Sequence, residues 1–293
     1  LRRRSRSSVG SGSENHTDRA AQLIATLDRS YGSITGVSIA CGPITGGWIA
    51  VFLRGPIERS IVTSDSSVST GCAALNELLG GGFERGTVSQ IYGPPAAGKT
   101  NVALSAAVTV ALAGGRALYI DTEGLSIDRF SQLITAQTDE PVEDVASRLV
   151  ITEAMDFDEQ AEAVQDASEF AESIELIVLD SATGFYRLKR TEETTGGEAL
   201  RAVARQITHL LSIARKHNIA VVITNQVFSD PDTDRTRGLG GHTLEHWTGV
   251  VLRLDRFRGG NRRATLEKHR SKAVGDSVTF EITDAGLSAT EPF

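Results

Sequence analysis

The sequence predicts an α/β protein with a mainly parallel central sheet flanked by helices and an antiparallel β extension at its C-terminal end. Three observations predict it. From residue 69 onward, short apolar runs alternate with helical patterns of about 10–20 residues, and strands separated by such helices run parallel through right-handed crossovers. Beyond residue 249, three strand-like runs follow one another with no helical pattern between them. A glycine-bounded turn, residues 93–98, lies directly between the first strand and the first long helix, where a phosphate-binding turn belongs.

The elements follow in order. Residues 88–92 are a short apolar run and read as a strand. Residues 99–113 read as an apolar helix stopped by Gly114-Gly115. A strand at 117–120, a helix at 127–137, a strand at 149–152 and a polar-faced helix at 158–172 come next. Residues 176–179 and 220–224 are continuous apolar runs, the pattern of strands buried on both faces. Between them, residues 198–217 form a long amphipathic pattern. Strands at 250–254, 264–268 and 277–282 complete the chain. The stretches 183–197 and 228–246 read as loops.

Composition limits the alternatives. With 293 residues, 40% hydrophobic, the chain suits one large domain or two small ones. Gly at 29 and Pro at 7 exclude a collagen-like or Pro-rich disordered chain. The two cysteines, Cys41 and Cys72, make no disulfide framework or zinc spacing and read as small buried side chains, which fits a reducing, cytoplasmic setting. Charge divides along the chain: residues 1–61 carry eight Arg against four acids, whereas the remainder carries a net −11. An acidic body argues against coating nucleic acid by bulk charge, so any such contact must be local. Lys is scarce beside Arg, which suits either a high-salt cytoplasm or a GC-rich genome.

Residues 1–61 read as a disordered or non-native N-terminal extension, with Val62 an alternative initiator, and residues 62–293 as the folded domain. Residues 34–53 run 20 positions without a charge and are long enough for a membrane span. Four glycines and a proline make them a poor one, and the expectation is no membrane partner. A signal peptide led by Arg2–Arg4 is the other reading, without a convincing cleavage pattern.

Gly93-Pro94-Pro95-Ala96-Ala97-Gly98-Lys99-Thr100 has the Walker A form GxxxxGKT. About 0.01 chance matches are expected in a chain of this composition, so the match carries weight. Gly93 and Gly98 let the backbone turn its N–H groups inward round an anion, and the following helix points its positive end at it. Lys99 would neutralise β- and γ-phosphate charge, and Thr100 would offer a hydroxyl to Mg²⁺. The bound species would be ATP. Asp180 ends the buried strand 176–179 about 80 residues later, as a Walker B carboxylate holding Mg²⁺ through water. Glu123, just past the 117–120 strand, is the candidate general base; a helix cap by Ser126 is the competing account of that acidic turn. Gln226, at the next strand edge, is a candidate γ-phosphate sensor.

Two basic loops leave these strands. Arg187, Lys189 and Arg190 lie in 183–197 beside Phe185 and Tyr186; Arg235 and Arg237 lie in 228–246. Basic side chains next to aromatics suit single-stranded DNA, while solvated loops remain the plainer account. Residues 253–272 hold eight basic and two acidic residues. They read as a nucleic-acid contact, as trans fingers to a neighbour's ATP through Lys268 and Arg270, or as an exposed β-ribbon.

Several segments together resemble the RecA/RadA recombinase core: residues 69–83, the Walker A loop, Tyr119-Ile-Asp-Thr-Glu-Gly124, Thr224-Asn-Gln-Val227 and residues 240–246. The resemblance covers about residues 65–290 and implies a RecA-like P-loop ATPase fold, Mg-ATP binding, a catalytic Glu123 and DNA-binding loops at 183–197 and 228–246. No helix-hairpin-helix pattern and no Phe-x-x-Ala motif precede the core. A bare core of this kind is similar to the archaeal RadB paralogues. That likeness implies an ATP-dependent DNA-binding protein of homologous recombination and repair, with weak hydrolysis. The partners implied are single-stranded DNA, a RadA-type recombinase, other repair proteins and further copies of the chain. Ala96-Ala97, where Gly or Ser is commoner, bears on the rate of hydrolysis rather than on binding. A KaiC-like signalling ATPase and a non-hydrolysing recombination mediator stand as the alternatives.

Overall fold

The computed structural model describes residues 66–191, 197–230, 235–257 and 260–290. The readings made for residues 1–61, including the 34–53 span and Cys41, lie outside the described residues.

The elements run β1 (Ser67–Val68), α1 (Ala73–Leu79), β2 (Phe83–Glu84), β3 (Thr87–Tyr92), α2 (Lys99–Leu112), β4 (Ala117–Asp121), α3 (Ile127–Thr135), α4 (Val142–Ala146) and β5 (Leu149–Glu153). Then come α5 (Phe157–Phe170), β6 (Leu176–Asp180), α6 (Tyr186–Thr191), α7 (Glu198–His217), β7 (Ala220–Asn225), β8 (Val227–Asp230), β9 (Arg235–Gly238) and α8 (Gly241–Trp247). The last four are β10 (Val250–Arg256), β11 (Arg262–Lys268), β12 (Ser277–Thr283) and β13 (Gly286–Thr290).

The main sheet has the order β13-β12-β11-β10-β3-β7-β6-β4-β5. Strands β10, β3, β7, β6, β4 and β5 are parallel, and β10 to β13 form an antiparallel meander. The expected architecture is therefore present, with β13 as an additional strand. Parallel register brings the C-terminal ends of the central strands to one edge, with Tyr92 opposite Asn225 and Asp121 opposite Asp180. In such sheets that edge is where ligands bind.

Burial explains the patterns. Strands β6 and β7 are buried throughout, because helices cover both faces of the sheet. Helix α2 is apolar almost all round and lies inside the core, with Val102, Leu104, Val108 and Ala111 among its buried residues. Helix α7 instead buries one stripe, including Val203, Ile207, Leu210 and Ala214, and ends on Asn218 in the left-handed region at φ 54°. Cys72 is buried as expected, just ahead of α1. No helix among the described residues is long and apolar enough to cross a membrane.

The two stretches read as loops are more ordered than the sequence pattern predicts. Residues 186–191 are helical, 227–230 pairs with 235–238 as a hairpin, and 241–247 is a helix. The elements are short, and the two helices are mostly solvent-facing, with Tyr186 and Leu244 as their buried residues. Backbone pairing and a single anchoring side chain leave no periodicity to read.

Candidate nucleotide site

The Walker A segment turns tightly between β3 and α2. Gly93 lies against β10: a Cβ there would stand 2.3 Å from the Leu254 carbonyl oxygen. Gly98 takes φ 100° as the residue before α2, and no side chain caps the helix. The first-turn N–H groups of α2 therefore face the turn, with the positive end of the helix behind them. Ala96 also has positive φ, 59°, a conformation costly for a side chain. Lys99 folds back, its Nζ donating to the carbonyls of Gly93 at 3.1 Å and Pro94 at 3.3 Å. Burial lowers its pKa, opposed by the charges of Glu123 and Asp180. An ammonium resting on its own loop's carbonyls, over an uncapped helix start, fits a phosphate chain.

Asp180 is 1% exposed. Its carboxylate accepts from Tyr119 Oη at 2.7 Å, from Thr224 Oγ1 and from Thr100. Burial raises its pKa, and those hydroxyls pull it back. Thr100 and Asp180 together fit a hydrated Mg²⁺ carried in with the nucleotide. No cluster of three or more His, Cys, Asp or Glu among the described residues could hold a metal without it.

Two carboxylates two residues apart do different work. Asp121 accepts the backbone N–H groups of Glu123 and Gly124 at 3.1 Å, and that of Leu125, so it builds the turn. Ser126 does cap α3, accepting from the Arg129 N–H at 3.2 Å. Glu123 is needed for neither. Its Oε1 accepts from Ser181 Oγ at 3.0 Å and Gln226 Nε2 at 3.2 Å, which draws the ends of β4, β6 and β7 together.

Gly93, Lys99, Thr100, Glu123 and Gln226 line a cleft of about 490 Å³. Arg187, Asn101, Arg262 and Ile282 line it too, in places the sequence did not assign. Arg187, read as a DNA contact, thus faces the cleft, with Nη2 3.4 Å from the Val227 carbonyl. Tyr119 and Thr224 lie in segments that carry the family resemblance, but their hold on Asp180 depends on strand adjacency.

The other basic residues separate. Lys189 pairs with Asp158 at 3.1 Å and lies 5.7 Å from the Phe157 ring centroid. Arg190 is exposed, and Arg237 lies 3.3 Å from His242 Nε2. The Arg235 side chain lies outside the described residues. Neither trans-finger candidate lines the cleft. Lys268 Nζ donates to the carbonyls of Thr248, at 2.7 Å, and Glu245, at the negative end of α8. Arg270 pairs with Glu84. A trans role requires both to leave these partners.

A buried amide joins the two loops. Asn225 accepts from Thr183 Oγ1 at 2.8 Å and donates to the Leu239 carbonyl at 2.9 Å. Gly238 packs beside it, where a Cβ would stand 3.1 Å from Asn225 Nδ2 and 2.9 Å from Gln90 Nε2. Asn225→Ala strips both partners of buried hydrogen bonds, an expected cost of about 2–3 kcal/mol. Thermal unfolding checks it: the melting temperature should fall by roughly 4–12 °C for a domain of this size. An unchanged value would remove Asn225 from this role.

A family model described as Rad51 matches residues 61–290. The chain belongs to the Rad51 family. Within it, several similar proteins share a name. It is 64% identical over 227 residues to "DNA repair and recombination protein RadB" of Halobacterium salinarum, covering 77% of this chain and 96% of that one. It is 37% identical over 223 residues to the protein of that name from Pyrococcus abyssi, covering 75% and 93%. A solved structure, "Crystal structure of the RadB recombinase", superposes with a TM-score of 0.67 at 38% identity, covering 76% of this chain and all of that one. The family is one of ATPase type, and this Rad51-family chain groups with the archaeal RadB proteins.

Proposed function

We propose that this chain binds ATP with Mg²⁺, hydrolyses it slowly, and uses the nucleotide state to set how two loops grip single-stranded DNA. The setting is homologous recombination and DNA repair beside a RadA-type recombinase. One observation carries the reading: most of the phosphate turn, Glu123 and Gln226 line one cleft from the ends of β3, β4 and β7 at the same sheet edge, and Asp180, buried at the end of β6, reaches the cleft-lining Thr100. The names of the similar proteins support the recombination setting.

Mg²⁺, when bound, supplies charge neutralisation across the phosphates. The protein's own groups do the rest. The α2 N–H groups and Lys99 hold the phosphate chain in place. Glu123 Oε1 is held by Ser181 and Gln226, which leaves Oε2 to take a proton from an attacking water. Gln226 touches that same carboxylate and is followed at once by β8, so a change at the γ-phosphate end reaches the hairpin directly. Asn225 carries it on to Thr183 and the first loop.

The test is fluorescence anisotropy of a labelled single-stranded oligonucleotide, with ADP, with a non-hydrolysable ATP analogue and without nucleotide, across a salt series. Binding should be tightest with the analogue and should weaken steeply with salt. No binding in any nucleotide state sinks the DNA half of the reading and favours a signalling ATPase.

A further inference from the structure

The antiparallel extension presses an arginine against the phosphate turn. Arg262 opens β11, opposite Arg256 of β10 and Phe280 of β12. In the sheet, β11 lies beyond β10 on one flank of β3, whereas β7, β6 and β4, with the acids and Gln226 at their ends, lie on the other. Even so, a Cβ built on Gly98 would stand 3.1 Å from Arg262 Cδ, 3.2 Å from its Nε and 3.1 Å from Ile282 Cδ1. The arginine side chain therefore runs over the residue that opens α2.

Its charge has no counter-ion among the described residues. On the same hairpin, Arg253 pairs with Asp255 at 3.2 Å and Glu267 at 3.1 Å. Arg263 reaches Asp255 at 3.5 Å and lies 4.8 Å from the Phe257 ring centroid. Arg262 has no ion pair among the described residues. Its Nη1 donates to the Gly260 carbonyl, and its buried Nε–H has no acceptor among the described residues. The Arg256 charge acts against it. A guanidinium with an unfilled buried donor, beside a like charge and at the positive end of a helix, is unfavourable as it stands. An anion between the helix start and the guanidinium relieves all three conditions.

We infer that Arg262 is a second cationic ligand of the nucleotide, supplied in cis by the extension and acting on the α,β end of the phosphate chain. The inference rests on the nucleotide reading given above. The sheet order divides the labour: Glu123 and Gln226 attend the γ end from one flank of β3, and Arg262 attends the other end from the opposite flank. ADP and ATP share that end, so Arg262 binds both alike.

The experiment compares wild type, Arg262→Gln, Arg262→Lys and Lys99→Ala by equilibrium titration with Mg-ADP and with a non-hydrolysable Mg-ATP analogue. Thermal unfolding without nucleotide accompanies it. Arg262→Gln should weaken both ligands by about 10-fold, and by the same factor for each. Arg262→Lys keeps the charge but loses the fork, so it should recover part of that loss and holds the comparison should the Gln variant unfold. The nucleotide-free melting temperature should not fall, because an uncompensated charge has gone. Wild-type affinity for both ligands in the Arg262 variants, with Lys99→Ala defective, removes Arg262 while the site stands. Loss for the ATP analogue alone places Arg262 at the γ end and overturns the assignment. Wild-type affinity in Lys99→Ala as well overturns the nucleotide reading itself.

Discussion

Replacing Glu123 by Gln is expected to lower ATP turnover by about 100- to 10,000-fold, the range for loss of a positioned general base. Nucleotide affinity and the melting temperature should stay near wild type. The reason lies in what the side chain does for the fold, which is little. Glu123 is exposed, and the turn it belongs to is built by Asp121 through three backbone N–H groups. A Gln side chain keeps an oxygen for Ser181 but loses the negative charge, and with it the capacity to take a proton. The neighbouring carboxylate provides the contrast: Asp121→Asn removes a charge that three amides address, so it should lower stability. Steady-state phosphate release checks the first expectation. Turnover equal to wild type in Glu123→Gln would remove Glu123 as the base; if turnover falls while DNA binding and survival after damage stay intact, hydrolysis is not what this chain is for, and a mediator that uses ATP structurally takes its place.

Removing Lys99 is expected to have the largest effect on binding. Lys99→Ala deletes the ammonium that lies within the phosphate turn, and the lost charge-assisted contacts are worth about 2–3 kcal/mol, or roughly 100-fold in affinity. Thermal shift reads this cleanly, because a ligand that binds only the folded state raises the melting temperature in proportion to its affinity. Wild type should rise with ATP, and Lys99→Ala should rise far less at the same concentration. Without nucleotide the two should melt close together: the variant gives up the bonds to Gly93 and Pro94 but also the burial of an ammonium whose pKa that burial has lowered. A full nucleotide-induced rise in Lys99→Ala would mean that the cleft is not where the phosphates sit.

The parallel core was legible because each of its parts is written locally. Residues 176–179 and 220–224 are uninterrupted apolar runs, and only strands covered on both faces need them. The long helix at 198–217 shows its buried stripe in its spacing, and its observed bounds agree. The Walker A turn is contiguous, so its residue types and its geometry coincide. The short helix at 186–191, the paired strands at 227–230 and 235–238 and the strand at 286–290 were not legible. Each is held by pairing or by one anchoring side chain, and neither leaves a period in the sequence.

The amino-acid order alone established the fold class, the phosphate turn, and the acids and amide that end the central strands, since these depend on neighbours within about a dozen positions. Strand adjacency decided the rest. It set Tyr119 and Thr224 on Asp180 from 61 and 44 positions away, tied Lys268 and Arg270 to in-chain partners, turned Arg187 toward the cleft, and laid Arg262 over Gly98. The physical cause is that a sheet edge gathers residues by strand order, and strand order follows from how helices pack to bury the sheet's faces. Nothing in the local spacing of charges carries that order.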